Sequence, residues 1–359
     1  MAKPPPPKLV QIADKARNGL RFLERKLAPP EIGLLGFVSD LWGFQIVYAL
    51  AELRVVDALK AGPRAADEVA KEVGADADHL YRLLRAATHF DIVREEPNRC
   101  FSLLPLGTAL CDVENESLRD FIILQGRVGW RFWGRLTDAV RQGRTAIEIE
   151  TGKKPFEYLL GEESVRHTFN RAMTAISSVA AEAFVAAYDL SGFGTIIDVG
   201  GGHGRLLSAL LKQAPSAQGV LFDLPEVVAD APAVLESLGT QSRVRVVGGS
   251  FFDSVPAGGD LYVMKAIIHD WDDAEALKIL QRVREAAKPS SKLVLYETVV
   301  TAPNDKHFAK LLDIEMIVHA GGRERTQAEY SELFRKAGFR LSRVLPTAGP
   351  ASVIEALPG

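Results

Sequence analysis

The chain has 359 residues, 47% hydrophobic and 25% charged, which excludes a wholly disordered, collagen-like or coiled-coil protein. Forty-three basic against 46 acidic side chains leave a net charge of −3, which calls for neither a nucleic acid nor an anionic membrane as partner. That length predicts two or three domains. No apolar stretch reads as the roughly 20 residues that span a bilayer, and Pro4 to Pro7 deny the N-terminus the apolar core of a signal peptide. The two cysteines, Cys100 and Cys111, make neither a CxxC pair nor a disulfide framework. As two small core residues they fit a reducing cytoplasm.

Residues 1–30 are basic, proline-flanked and weakly apolar, and read as a mobile tail with one short helix. From Ser39 the character changes. Leu41, Trp42, Phe44, Ile46, Val47, Tyr48 and Leu50 leave a helix almost no polar face, so it must be buried on more than one side. A second subunit and the chain's own larger domain serve equally well as that second side.

Short helices are predicted over Val55 to Lys60, Ala65 to Val73 and Asp78 to Phe90. Strand-like pieces follow around Ile92-Val93-Arg94 and Cys100 to Leu103. Three helices and a β-wing outline a winged helix-turn-helix. From Leu41 to Asn115, however, eight basic residues face twelve acidic ones, a net of −4. That is the wrong sign for gripping phosphates, and the region reads as scaffold. Phe121 to Tyr188 reads as several helices, dense in the aromatics Trp130, Phe132, Trp133, Phe156, Tyr158 and Phe169.

After Ser191 the chain alternates strand and helix. Strands are predicted at Thr195 to Val199, Gly219 to Phe222, Val244 to Val247, Leu261 to Ala266 and Lys292 to Tyr296, with a closing antiparallel pair over Phe339 to Leu345 and Ser352 to Ala356. This is the pattern of an α/β, doubly wound sheet covered on both faces. The expected organisation is a tail at 1–30, a winged-helix-like domain at 31–115, a helical connector at 116–190 and an α/β domain at 191–359.

In open α/β sheets ligands bind beyond the carboxyl ends of the strands. The first strand ends in Asp198-Val199-Gly200-Gly201-Gly202-His203-Gly204, where glycines permit positive φ and close backbone approach. Gly200 and Gly202 fit a dinucleotide fingerprint, but Arg205 occupies its third glycine position. The second strand ends in Asp223-Leu224-Pro225. Asp223 reads either as a helix cap or as an acceptor for ribose hydroxyls, and the glycine loop upstream favours the second. His269 follows the fourth apolar strand, and Glu297 ends the fifth as its natural partner, the form of a general base oriented by a carboxylate. No His, Cys or acidic cluster has metal-ligand spacing.

In order, DVGGGHG, FDLP, GGSFF, MKAIIHDWDD, YET and GGRERTQAEY resemble the motifs of the plant caffeic-acid type of S-adenosylmethionine-dependent O-methyltransferases. Bacterial small-molecule O-methyltransferases of antibiotic and phenazine pathways are similar too. The likeness spans nearly the whole chain. It implies a Rossmann-like methyltransferase domain and a mostly helical, winged-helix-like N-terminal dimerisation domain. By that resemblance Gly200 and Gly202 lie against the cofactor's methionine part and Asp223 takes the ribose hydroxyls. Leu224 flanks the adenine, Ser250 and Phe251 meet it, and Lys265 meets the methionyl portion. His269 is the implied base, with Glu297 and Glu329 as the carboxylates that hold it; Met173, Trp271, Met316 and Ile317 line the acceptor pocket. Many relatives carry Asp where this chain has Ser250, so that adenine contact is neutral here.

The resemblance thus implies a cytoplasmic homodimer that methylates a phenolic hydroxyl of a small aromatic molecule, without metal, nucleic acid or membrane. The alternative within the fold is a sibling that binds S-adenosylmethionine but hydroxylates or decarboxylates a polycyclic aromatic metabolite. Outside it stands a winged-helix regulator that senses a nucleoside.

Overall fold

A computed structural model describes residues 5–111 and 117–359. The expected boundary between 115 and 116 lies outside the described residues. The chain divides into two compact units, one formed by residues 16–130 and 164–176, the other by 1–15, 131–163 and 177–359.

The first unit is built on the helices Pro30–Glu52, Val55–Ala58, Ala66–Val73 and Ala77–Ala87, followed by strands Val93–Glu96 and Cys100–Leu103. Cys100–Leu103 is the centre of a three-stranded antiparallel sheet whose other edge is Arg64–Ala65. Its core is Leu50, Val55, Val56, Leu59, Val69, Leu80, Leu84, Ile92 and Phe101. Both cysteines are free thiols, Cys111 buried and Cys100 half-buried.

The helix Pro30–Glu52 corrects two expectations. It starts nine residues before Ser39, and by length and composition it is apolar enough to cross a membrane. Gly33, Gly36, Ser39 and Gly43 interrupt its apolar run with small residues, and Asp40 is the one charge between Glu31 and Glu52, so the helix is longer than its hydrophobic letters alone imply. Gly43, Leu50 and Ala51 are buried, whereas Leu34, Leu35, Phe37 and Trp42 stand about 60% exposed. Ahead of it, Pro7–Leu27 is helical over 21 residues, more than one short helix.

In the second unit we number the strands of the large sheet β1 Thr195–Val199, β2 Gln218–Asp223, β3 Val244–Gly248, β4 Leu261–Lys265, β5 Lys292–Val300, β6 Phe339–Pro346 and β7 Ala351–Pro358. Their spatial order is β6-β7-β5-β4-β1-β2-β3. The five strands from β5 to β3 are parallel, and β6 and β7 close the sheet antiparallel. The predicted strands therefore stand within four residues of the observed ends, and β1 coincides at both.

Alternation along the strands loads both faces. Ile197, Val199, Val220, Phe222, Tyr262 and Met264 face the helices Asp273–Ala286 and Gln327–Lys336. Ile196, Leu221, Leu261, Val263 and Val294 face Arg205–Gln213 and the segment around Phe184 and Tyr188. A parallel sheet so covered has one exposed edge for chemistry, the carboxyl end of its strands.

Candidate active site

At the end of β1, Gly200, Gly202 and Gly204 all take positive φ, +70°, +57° and +80°. This path is open to glycine and strained for other residues. A Cβ on Gly200 would strike Ile267 Cδ1 at 2.5 Å, and one on Gly201 would strike the carboxyl of Asp198 at 2.7 Å. At Gly202 the same position meets open space, so the loop presents bare main chain to a ligand. Asp223, at the end of β2, accepts from Gly202 N–H at 2.8 Å and Leu224 N–H at 2.7 Å, one oxygen each. The acid is thereby locked to the glycine loop, although burial raises its pKa. Neither of those bonds is a cap to a helical second or third residue. Asp198 is fully buried, and burial pushes its carboxyl up to about 7.

Ser250 and Phe251 follow β3. Ser250 Oγ accepts from Phe252 N–H at 3.2 Å, which holds the turn. The Phe251 ring reaches within 3.7 Å of where a Gly200 Cβ would lie, beside the loop. Lys265 ends β4, where desolvation lowers its pKa and the charges of Asp198, Glu297 and Asp270 work against that shift.

Ala266 then takes φ +51°, a left-handed turn that costs an alanine strain. It swings the next two amides onto one carboxylate oxygen: Glu297 Oε1 accepts from Ile267 at 3.0 Å and from Ile268 at 2.9 Å. His269 sits on the short 3-10 turn Ile268–Asp270 that follows, 8% exposed. Its Nδ1 meets Glu324 Oε1 at 2.6 Å, Glu297 Oε2 stands 3.7 Å from the same nitrogen, and Asp270 Oδ1 is 3.5 Å from Nε2. Burial opposes a charge on this ring, but the carboxylates of Glu297, Asp270 and Glu324 outweigh it and lift the imidazole to about 10. Glu324 is raised by burial, and Asp270 is raised by burial to about 6.

Here the structure corrects the sequence reading. Glu329 does not hold His269. Its carboxylate accepts from Thr326 N–H at 2.7 Å and Thr326 Oγ1 at 2.8 Å, closing a capping box on the helix Gln327–Lys336. The carboxylate on the ring is Glu324, five residues earlier. Thr326-x-x-Glu329 is the sequence signature of a capping box, and it was there to be read. Glu324 follows Gly321-Gly322, and Gly322 is the signal for its placement. A Cβ there would lie 2.1 Å from the carbonyl oxygen of His269, so only glycine lets this loop press against the turn. Asp270, the acid next to His269 in sequence, lies on the Nε2 side of the ring.

Of the residues expected around an acceptor, Trp271 is half-buried, with rings of Phe156 stacked at 5.2 Å and Phe252 edge-on at 4.7 Å. Met316 and Ile317 lie on the helix Ala309–His319, Met316 buried and Ile317 half-buried. Met173 is on the helix Glu163–Ala187, in the first unit. Among the described residues no group of three or more His, Cys, Asp or Glu is arranged to hold a metal.

A glycine loop after β1 and a locked acid after β2, on a parallel sheet closed by an antiparallel pair, make the frame of an S-adenosylmethionine-dependent methyltransferase. Residues 133–340 match an O-methyltransferase domain and residues 37–112 an O-methyltransferase dimerisation domain. The phenazine O-methyltransferase PhzM of Lysobacter antibioticus is 38% identical over 90% of this chain and 95% of its own. An 8-amino-8-demethylriboflavin N,N-dimethyltransferase of Streptomyces davaonensis is 34% identical over 86% and 90%. Human N-acetylserotonin methyltransferase, solved with S-adenosylmethionine, superposes with a TM-score of 0.84 at 28% identity, over 92% of this chain and 99% of that one. The chain belongs to the S-adenosylmethionine-dependent O-methyltransferase family.

Removing a negative neighbour from an imidazolium lowers its pKa. Glu324→Gln is therefore expected to bring the His269 pKa down from about 10, read by NMR titration of the labelled, unliganded protein. An unshifted titration would separate Glu324 from the ring.

Proposed function

We propose that this protein methylates a hydroxyl of a small aromatic molecule, with His269 as the base. The observation that carries this reading is the buried imidazole pinned through Nδ1 by Glu324 at 2.6 Å, which fixes the ring and leaves Nε2 as the atom that exchanges a proton with the acceptor. S-adenosylmethionine supplies a methyl group on a positively charged sulfur. Gly200 and Gly202 give its methionine part close backbone approach. Asp223 accepts the ribose hydroxyls through lone pairs its two N–H contacts leave over, and Lys265 offers an ammonium to the methionyl end. Leu224, Ser250 and Phe251 form the adenine side, with the Ser250 hydroxyl as a neutral contact. Trp271, Met316 and Ile317, all in the second unit, supply apolar surface for the acceptor.

The charge state of His269 fits the task. A phenol has a pKa near 10, and a neutral ring whose carboxylate neighbours raise its basicity takes that proton more readily than an ordinary imidazole. At neutral pH the same pairing is reached when an ionised acceptor docks against the imidazolium. Glu297 holds the turn by its amides and Glu324 holds the ring, so neither needs to move while the proton changes place.

Incubation with methyl-labelled S-adenosylmethionine and a panel of phenols, flavonoids, quinols and hydroxyphenazines is expected to label an acceptor oxygen, read by mass spectrometry. His269→Ala is expected to lose about 10²-fold or more in turnover while still binding S-adenosylhomocysteine. The similarity to an N,N-dimethyltransferase favours a second reading, an aromatic amine as acceptor. A neutral amine attacks without prior loss of a proton, so labelled nitrogen with little effect of His269→Ala would establish it. Binding of the cofactor with no labelled acceptor would point to the sibling hydroxylation or decarboxylation chemistry.

Asp223→Ala is expected to weaken S-adenosylhomocysteine binding at least about tenfold by calorimetry with the circular dichroism unchanged. Equal affinities would remove Asp223 from the ribose.

We further infer a homodimer formed through the first unit, supported by the exposed Leu34, Leu35, Phe37, Leu41 and Trp42 of Pro30–Glu52 and by the match to a dimerisation domain from residue 37. An apolar patch of this kind is what an obligate interface covers. Leu41→Glu with Trp42→Glu is expected to turn a dimer into a monomer in sedimentation velocity; a dimer undiminished by both changes would place the interface elsewhere. The two free thiols agree with a reducing cytoplasm as its compartment.

A further inference from the structure

We propose that Arg325 is a positioning residue for methyl transfer, fixing the place from which His269 presents its ring. The proposal rests on the reading of His269 as the base. Arg325 is 1% exposed and is the largest fully buried side chain among the described residues. All five of its N–H donors are used. Nη1 donates to the carbonyls of Ile268 at 2.9 Å and Arg323 at 3.3 Å, and Nη2 donates to the carbonyl of Trp271 at 2.9 Å. Nε and Nη2 both reach Asp273 Oδ1, at 3.0 and 2.8 Å.

Two of those carbonyls bracket His269 and Asp270. The guanidinium thus spans the turn that carries the base, from the residue before the histidine to the second residue after it. The opposite side of the same turn is held by Glu297 through the Ile267 and Ile268 amides, so the turn is clamped through its amides and its carbonyls together. The neighbouring Glu324 is the carboxylate on Nδ1, and Arg323 N–H donates to the carbonyl of His269 at 2.8 Å. Three consecutive residues therefore fix, in turn, the backbone of the histidine, its ring and the turn around it. Arg325 itself is anchored, because the strand Arg325–Thr326 pairs with the end of β5 at Val299 and Val300.

A planar five-donor fork is what this arrangement needs. Lysine has three donors on one flexible atom and cannot span carbonyls three residues apart while also holding Asp273. Stability alone is a weak reason to bury a guanidinium, since an apolar replacement of similar volume is often neutral or better. Its partner Asp273 is 65% exposed, so the pair is not a sealed ion pair in the core. Orientation is the more direct return: a misplacement of about 1 Å in a reacting group can lower a rate about 10²-fold.

The test is a double-mutant cycle of Arg325→Lys with His269→Ala, read as turnover of the panel phenol that is methylated fastest. Arg325→Lys is expected to lower kcat about 10²-fold, with S-adenosylhomocysteine affinity within about threefold of wild type. The NMR-measured pKa of His269 should fall as the ring loosens from Glu324. In the His269→Ala background the same change is expected to cost less than about threefold, because no ring is left to position. Losses that multiply in the double mutant, an unchanged kcat, or a parallel loss of S-adenosylhomocysteine binding would each overturn the proposal. Should Arg325→Lys fail to fold, the exposed Asp273→Asn replaces it. It is expected to lower kcat several-fold in the wild-type background and not at all in His269→Ala; no effect, or the same effect in both, overturns the proposal. Full turnover by His269→Ala alone would remove the base reading and this proposal with it, whereas multiplying losses remove only this proposal.

Discussion

An imidazole buried among carboxylates is the constraint to which the rest of the second unit answers. A neutral histidine in that position would leave acids uncompensated in a poorly solvated space, and an isolated imidazolium would pay the full cost of desolvation. Together they stabilise each other, and the balance moves the ring to about 10 against the direction of burial. Each acid also has a separate structural task. Glu297 gathers two amides, Glu324 orients Nδ1, and Asp270 lies toward Nε2. The cluster is thus over-determined, which is how a left-handed alanine such as Ala266 persists beside it.

The sheet explains why these groups can meet. β1, β4 and β5 are adjacent parallel strands, so Asp198, Lys265 and Glu297 arrive at one edge from neighbouring positions. The glycine loop follows β1 and the histidine turn follows β4, and the two touch where Ile267 packs against Gly200. A ligand lying along the loop therefore runs toward the turn without any long excursion of the chain. The helix Asp273–Ala286 starts immediately after the turn, with Asp272 capping it through the amides of Ala274 and Glu275. That cap fixes the exit of the turn as Ala266 fixes its entry.

Much of this was legible in the sequence, because strand alternation and glycine loops are local signals. The ends of β1 were read without error, and the loop after it, Asp223 and His269 stand where strand ends place chemistry. What was misread is instructive. Glu324 and Glu329 lie in one motif, and choosing between them requires knowing which acid already has a partner. Thr326 claims Glu329 by a local capping rule, whereas the claim of His269 on Glu324 spans 55 residues and appears only when the Gly321-Gly322 loop folds back. Arg325 was equally silent, since an arginine in a polar run carries no mark of burial. In the helix Pro30–Glu52, small residues hid the length of the apolar stretch, and its exposed half cannot be told from a core helix by composition alone.

The same cluster bears on how far this site can be tuned. With His269 as the proposed base, a ring raised to about 10 is protonated at neutral pH, and the productive pairing there is imidazolium with the ionised oxygen. An acceptor whose ring carries electron-withdrawing groups ionises more readily and reaches that pairing more often, although its oxygen is then a weaker nucleophile. These two effects oppose each other, and they set an optimum in acceptor acidity instead of a steady rise or fall. The three carboxylates act on that optimum in two opposed ways: each negative charge beside the ring favours the imidazolium, and each repels an acceptor that arrives as an anion. A site with fewer acids at the turn would hold a less basic ring and repel an anionic acceptor less. On the proposed reading, selectivity by acceptor acidity is set by the charges around His269, separately from the apolar surface proposed at Trp271 and Met316.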